Sequence, residues 1–365
     1  MWTFTPYQMV RLWMIYLIST PLAFLLGQLL LIAEYEGWIT ILLSCCCSVF
    51  IVSFAVKLAS YDPQVEWGVF GERIIGKWLH KMIMMLIVFY CMMLLTVVLT
   101  AYRDFFGSTY LPGTPDWVVT GGFLVCVAVV SRSGLQTIVF MADGMFILIF
   151  GVSLLTLFFL PGSVWPDMSI ALVTHWNGTT IWKSVLFVTP WFAEMMLVLI
   201  MLPHFQLHNK AMKYVIITKI SSCVLIMLYW LITLFVFGPH LGGHLRFPLM
   251  ELIRFVEIGN IIENLDPIMI SLWSSSLFIK CVLLLYMAAH LLAQVFKLPS
   301  HRPFTFLLAT LVYVFANGFI KHPAEFGAFV GSSSFAIFLL GVQLVPLLYL
   351  IINKVRSCLV TGDKS

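Results

Sequence analysis

Charge is scarce in this sequence. Lysine, arginine, aspartate and glutamate together make up 10% of its 365 residues, against the roughly 25% typical of soluble globular domains. With 61% hydrophobic residues and a mean hydropathy of +1.03, the chain has too little polar surface to be a soluble domain. The apolar runs lack the alternation that a membrane β-barrel needs. A net charge of +4 arises from scattered loop residues and leaves no footprint for nucleic acid. The phosphate-cradling GxxxxGK[ST], the zinc-protease HExxH and the GxSxG elbow are all absent, so nothing assembles an enzyme centre or calls for a cofactor. His204 and His208, four apart in HFQLH, have no nearby acidic third ligand, so a metal site is not expected. Cys45, Cys46, Cys47, Cys91, Cys126, Cys223, Cys281 and Cys358 fall almost entirely inside apolar runs. There they act as small hydrophobes rather than as a disulfide framework. No tandem repeat of short period is visible.

Long apolar runs are abundant, and several exceed the ~20 residues that cross a bilayer. They predict an all-α polytopic membrane protein with ten spans, near 12–32, 38–58, 82–102, 117–131, 137–160, 184–203, 214–238, 267–296, 303–320 and 334–353. The first run is too long for the apolar core of a signal peptide and lacks a small-residue cleavage site, so it reads as the first span. Counting basic residues on alternate sides sets the orientation. With the N-terminus inside, the inner set is Arg11, Lys57, Arg73, Lys77, Lys81, Arg132, Lys210, Lys213, Lys219, Lys297, Arg302, Lys354, Arg356 and Lys364. The outer set is Arg103, Lys183, Arg246, Arg254 and Lys321. That asymmetry predicts both termini on the cytoplasmic side.

Two connecting segments carry apolar residues at helical spacing. Ala59–His80 predicts a short amphipathic helix on the inner face. Phe247–Glu263, with Leu249, Leu252, Ile253, Val256 and Ile261 among Glu251, Arg254, Glu257 and Glu263, predicts another on the outer face.

The sixth run organises the functional reading. Within LFVTPWFAEMMLVLIMLP (186–203), Pro190 removes one backbone bond and crowds the carbonyl of Leu186. Glu194, one turn later, is too costly to face lipid and is expected in a protein interior or wet cavity. A proline kink with a buried glutamate accounts for the pattern; so does an interrupted helix beside a binding site, to which such interruptions point in membrane proteins. Lys280 lies about 20 Å into the eighth run at 1.5 Å per residue, too deep to snorkel, and is either a structural ion pair or a proton site. Asp143 in FMADGMF reads as a helix-packing carboxylate or a coupling group. Asp266 before Pro267 reads as an N-cap. Tyr90, Thr96, Trp191 and Ser274–Ser276 could complete a polar pocket at mid-depth, although mid-helix hydroxyls also serve helix packing. Exposed amides and carbonyls at interrupted helices suit an amino acid. Ser19-Thr20-Pro21 in the first run and Thr189-Pro190 in the sixth stand five spans apart, which points to an inverted repeat.

Three segments carry a resemblance: GQLLLIAEYEGWITILL (27–43), PWFAEMMLVLIMLPH (190–204) and ENLDPIMISLW (263–273). In their order and spacing the sequence resembles the B subunits of spore germination receptors, the endospore germination permeases of the amino acid–polyamine–organocation transporter superfamily. The resemblance implies one transmembrane domain over residues 1–365, in a five-plus-five inverted repeat (LeuT-like) with helices 1 and 6 broken. Repeat one would cover about 7–161 and repeat two about 182–354, with 355–365 a short cytoplasmic tail. It implies a ligand pocket made by Ser19, Thr20, Pro21, Thr96, Thr189, Pro190, Trp191, Glu194 and Ser275, to which the residue reading adds Tyr90. Glu194, Lys280 and Asp143 are the candidates for proton or charge coupling. Implied partners are an A-type membrane subunit and a C-type lipoprotein in the spore inner membrane, with a small germinant such as an amino acid as ligand. A proton-coupled amino acid transporter of the same fold is the alternative. One departure from the superfamily is that Ser19-Thr20-Pro21 stands where a glycine is common.

Overall fold

A computed structural model describes residues 3–159, 166–207, 210–254, 266–318 and 323–362. Helices account for nearly all of them, and the one β-bridge joins Phe4 to Phe205. The first expected span consists of α1 (Pro6–Thr20), a π-helical turn (Pro21–Leu25) and α2 (Leu26–Ala33). A capping box starts α1: Thr5 Oγ1 accepts from the Gln8 amide, the Gln8 side chain accepts from the Thr5 amide, and Pro6 takes the first position. A 3-10 turn (Glu34–Glu36) leads to α3 (Gly37–Ala59).

α4 (Trp67–Ile75) is the expected amphipathic helix. It buries Trp67, Phe70, Gly71 and Ile74, positions spaced to share one helical face. Gly76, at φ +86°, ends it in a conformation that costs glycine no Cβ clash. α5 (Lys77–Thr109), α6 (Asp116–Ser133) and α7 (Leu135–Phe159) follow, then a 3-10 turn (Pro166–Ile170), α8 (Ala171–Thr174) and α9 (Gly178–Ala193). Asn177 caps α9 through its side-chain oxygen, which accepts from the Thr179 and Thr180 amides. A 3-10 segment (Glu194–Leu197), α10 (Val198–Met201) and a last 3-10 turn (Leu202–His204) complete the sixth span. The chain continues through α11 (Ala211–His244), α12 (Pro248–Arg254), α13 (Asp266–Val295), α14 (Arg302–Gly318), α15 (Pro323–Val330), α16 (Ser333–Gln343) and α17 (Val345–Gly362). α12 is the beginning of the expected outer amphipathic helix. Val256, Glu257, Ile261 and Glu263 lie outside the described residues, as does the side chain of Asp266.

The described part of each expected span is helical. Among the described residues, seven helical stretches can cross a membrane by length and hydropathy, and an eighth if Ser333–Gln343 and Val345–Ser357, bent by 41°, count as one. The π-helical turn leaves α1 with 15 residues and α14 has 17, both short of the ~20 that span hydrocarbon unaided.

The sixth and eighth expected spans form the centre. Every residue from 187 to 201 and from 279 to 289 is buried, and a helix that is apolar all round belongs inside a bundle. α13 packs against α1, α5, α6, α7 and α14, while α9 packs against α3 and α16. Both described ends of the chain lie on one face. Thr3 accepts from the Gln206 amide group at 2.8 Å, and Arg356 donates to the Ile74 carbonyl at 2.6 Å. α4, which carries Ile74, meets the end of the sixth span through Glu66 and His204 at 3.3 Å.

Lys219 departs from expectation. It belongs not to a loop but to α11, where it is fully buried.

Candidate functional site

Two helices change pitch inside the bundle, in opposite senses. In the first span the backbone widens into a π-turn at Pro21, whose ring nitrogen has no proton to donate. No glycine is needed for this, because widening the turn leaves φ in the ordinary helical region at Thr20 (−79°) and Leu25 (−87°). The Ser19 carbonyl accepts from Trp273 Nε1 of α13 at 3.2 Å. In the sixth span the interruption was expected at Thr189-Pro190. The α-helix instead runs through Pro190 and tightens to 3-10 four residues later, at Glu194. Gln343 of α16 donates to the Pro190 carbonyl at 2.7 Å, so the neighbourhood of the proline is held from outside the helix.

A buried ion pair bridges these two places. Lys280 Nζ lies 2.8 Å from Glu194 Oε2, with the side chains 1% and 0% exposed. The same ammonium donates to Thr20 Oγ1 at 2.6 Å and sits 4.6 Å from the centroid of the Tyr16 ring. Lys280 therefore ties α13 to the residue just ahead of the π-turn and to the first residue of the 3-10 segment. Isolated charges buried this deeply would be prohibitive; the pair is tolerable because each charge partners the other and the ammonium has a hydrogen bond and a π contact besides, whereas neither Glu194 oxygen has a hydrogen-bond partner among the described residues. A second shared donor tightens the arrangement: Gln343 Nε2 also donates to the Tyr90 hydroxyl at 2.8 Å. The carbonyl oxygen of the Gln343 amide and the Thr189 hydroxyl are buried without a hydrogen-bond partner among the described residues, which is costly unless something else fills that role.

Of the residues expected at the site, Thr20, Pro21, Tyr90, Pro190, Glu194 and Lys280 belong to this connected set. Ser19 contributes its carbonyl, while its hydroxyl turns back to the Tyr16 carbonyl at 2.8 Å. Thr189 and Trp191 are buried on the same helix, with Trp191 packed against Phe335 at 6.3 Å. Three others lie apart from the pair. Thr96 bonds back to the Met92 carbonyl at 2.8 Å. Ser275 bonds back to the Ser271 carbonyl at 2.7 Å and lines a separate cavity with Tyr102, Phe123 and Phe278. Asp143 pairs with Arg11, fastening α7 to α1 at a partly exposed position.

Sequence reasoning missed Tyr16, Gln343 and Lys219. Lys219 donates from α11 to the Phe192 carbonyl, two residues before Glu194. It falls five residues inside the apolar run 214–238. A polar head within such a run was the signal. Gln343, an amide near the middle of the run 334–353, gave the same signal.

On the terminal face a second cluster joins the sixth and eighth spans. Glu66, just ahead of α4, meets His204 at 3.3 Å, His290 at 2.7 Å and the Gln294 amide. His208 lies outside the described residues. Burial pushes the Glu66 carboxyl up. The His290 hydrogen bond and charge, the His204 charge and the Gln294 hydrogen bond outweigh it and hold the group below its ordinary 4.5. A depressed carboxylate contributes stability that is present above the unfolded value and lost as pH falls through the folded one. The gap in thermal stability between wild type and Glu66→Gln is therefore expected to be open at mildly acidic pH and to close on the acid side of 4.5. Melting curves of the two proteins across that range check it; a gap that widens on acidification contradicts it.

The family model for the spore germination protein (Spore_permease) matches residues 3–322. The chain belongs to this family. Two of its relatives are Spore germination protein XB of Bacillus anthracis, 22% identical over 335 residues, and Spore germination protein YndE of Bacillus subtilis (strain 168), 23% identical over 333. The alignments cover 88% of this chain in both cases, with 91% of the first relative and 88% of the second. Among solved structures, the chain is similar to Mhp1, a nucleobase-cation-symport-1 family transporter in a closed conformation with bromovinylhydantoin bound. The TM-score is 0.65 at 12% identity, covering 92% of this chain and 77% of Mhp1. That likeness gives the fold: an all-helical membrane bundle of the LeuT-like kind.

Proposed function

We propose that this germination permease is the B-type subunit of a nutrient germinant receptor, binding a small germinant in the notch between the first and sixth spans. The observation that carries this reading is the Lys280–Glu194 pair at 2.8 Å, which joins the two pitch-changed helices through one side chain. A ligand that competes for either charge would separate the helices or draw them together. Its effect on the equilibrium is limited to the difference in its affinity for the two states. Thr20, Pro21, Tyr90, Thr189, Pro190, Trp191 and Glu194 are the residues proposed to meet it. The proposed ligand is an amino acid, whose ammonium and carboxylate suit a notch holding one carboxylate and one ammonium. The proposed setting is the spore inner membrane, with both termini on the core side and an A-type membrane subunit and a C-type lipoprotein as partners. Ten spans in two inverted repeats are part of the same proposal.

A proton-coupled amino acid transporter is the second reading, favoured by the same buried pair, since a proton could replace the ammonium as partner of Glu194. Glu194→Gln separates the neutral from the charged case while preserving shape. In spores carrying this variant at normal abundance, the germinant dose response is expected to shift or vanish; an unchanged dose response overturns the role of Glu194. Uptake of labelled amino acids into proteoliposomes then decides between the readings, because robust proton-dependent accumulation by the isolated chain favours the transporter.

A further inference from the structure

On the face opposite the chain ends, α2, α5, α15 and the end of α11 enclose a cavity of about 360 Å³. That falls within the ~300–1,000 Å³ of small-molecule sites. Two opposite charges share its wall. Asp104 Oδ1 is held at 3.0 Å by Arg103, itself buried and anchored on the Ala316 carbonyl at 2.9 Å. The other carboxylate oxygen, Oδ2, faces Arg246 Nη2 at 3.7 Å, which is beyond hydrogen-bond range. Arg246 makes no hydrogen bond to the described residues; its other contact is the ring of Phe247, 5.3 Å from the guanidinium carbon. Gln28 adds an amide to the wall, and Phe24 and Phe326 add apolar surface.

A structural ion pair is the plain alternative, and its magnitude argues against it. Arg246 is 47% exposed, and pairs of that exposure contribute about 0–1 kcal/mol. Such a contact does little to hold the segment in place, yet it keeps a fixed carboxylate and a guanidinium with free donors side by side in a cavity.

We propose that this cavity is a docking site for a small zwitterion with an apolar side chain. Its ammonium binds Asp104 Oδ2 and its carboxylate takes the two-pronged face of the Arg246 guanidinium. Its side chain lies against Phe24 and Phe326. Phe24 belongs to the π-turn, packs edge-on against Trp273 at 5.8 Å, and Trp273 donates to the Ser19 carbonyl. A zwitterion seated on Phe24 thus bears on the turn that follows Thr20, the acceptor of the Lys280 hydrogen bond. The proposal rests on the reading of this chain as a binder of a small germinant, and adds a second, outer station to the notch at Glu194.

The test uses the full chain in nanodiscs, with glycine, L-alanine, L-leucine and L-phenylalanine, their carboxyl amides and their N-acetyl forms as probes in equilibrium binding. At least one unmodified amino acid is expected to bind wild type. Arg246→Gln, which removes a half-exposed side chain and should keep the melting temperature, weakens that binding by at least about tenfold. Amidation of the probe's carboxylate weakens wild type but costs Arg246→Gln nothing further, and N-acetylation behaves likewise towards Asp104→Asn. Binding kept in Arg246→Gln but lost in Glu194→Gln overturns the outer station and leaves the notch. Binding kept in Glu194→Gln but weakened in Arg246→Gln supports the outer station and removes the notch. An equal penalty for amidation in wild type and Arg246→Gln overturns the proposed contact. No binding of any probe to wild type overturns both.

Discussion

Lys280→Met is expected to cost about 3–5 kcal/mol of stability, because it leaves the Glu194 carboxylate buried without a counter-charge. Three contacts go at once: the ion pair at 2.8 Å, the hydrogen bond to Thr20 at 2.6 Å and the ring of Tyr16 at 4.6 Å. Glu194→Gln is the milder single change, since a glutamine oxygen can still accept from the ammonium. The double variant Glu194→Gln/Lys280→Met removes both charges, and replacing a buried pair by uncharged groups of similar volume is often neutral. It should recover most of the stability that Lys280→Met loses, while the response to germinant stays absent. Thermal melting of the four proteins in one detergent gives the coupling energy directly. If Lys280→Met melts with wild type, the pair contributes nothing to the fold; if the double variant melts no higher than Lys280→Met, the penalty does not come from an orphaned carboxylate.

Much of the bundle was legible, for a physical reason specific to membranes. Hydrocarbon demands long apolar runs, so helices such as α3, α5 and α11 announce themselves by length alone. α4 was legible for the opposite reason: it is polar on one side, and Trp67, Phe70, Gly71 and Ile74 mark its buried face by spacing. The same apolarity conceals which way a core helix faces. Within 279–289 every residue is buried, so no periodic pattern says that Lys280 points at Glu194, 86 positions earlier in the chain. Each residue stood out singly as an expensive group in lipid, but their meeting depends on helix rotation that sequence spacing does not encode.

The two helix interruptions illustrate a finer limit. Both contain a Thr-Pro pair, and the shared motif suggested equivalent breaks. At Thr20-Pro21 the backbone widens at the proline itself, while at Thr189-Pro190 the helix passes through and tightens only at Glu194. The two places also differ in what lies outside each helix. Trp273 takes the Ser19 carbonyl in one case, and Gln343 takes the Pro190 carbonyl in the other. A proline removes a donor wherever it stands; neighbours from distant sequence determine how the backbone answers.

Lys219 supplies the other large effect. Its ammonium is fully buried in α11 and donates to the Phe192 carbonyl just ahead of the tightened segment. Two stability terms oppose each other in Lys219→Met. Losing the charged hydrogen bond and leaving a buried carbonyl short of a partner costs about 1–3 kcal/mol. Relieving the desolvation of a buried ammonium returns several kcal/mol. The melting temperature is therefore expected to hold or rise. Function should behave differently, because the variant removes the donor that fixes the backbone beside Glu194, the charge on which the proposed notch depends. Spores carrying Lys219→Met at normal abundance should lose the germinant response, and Lys219→Arg, which keeps a donor and the charge in a larger head, should restore part of it. A variant that responds like wild type would make Lys219 a passive core residue. One that melts far below wild type would show that its bond to Phe192 outweighs the desolvation relief, and the lysine would then act on the fold rather than on the site.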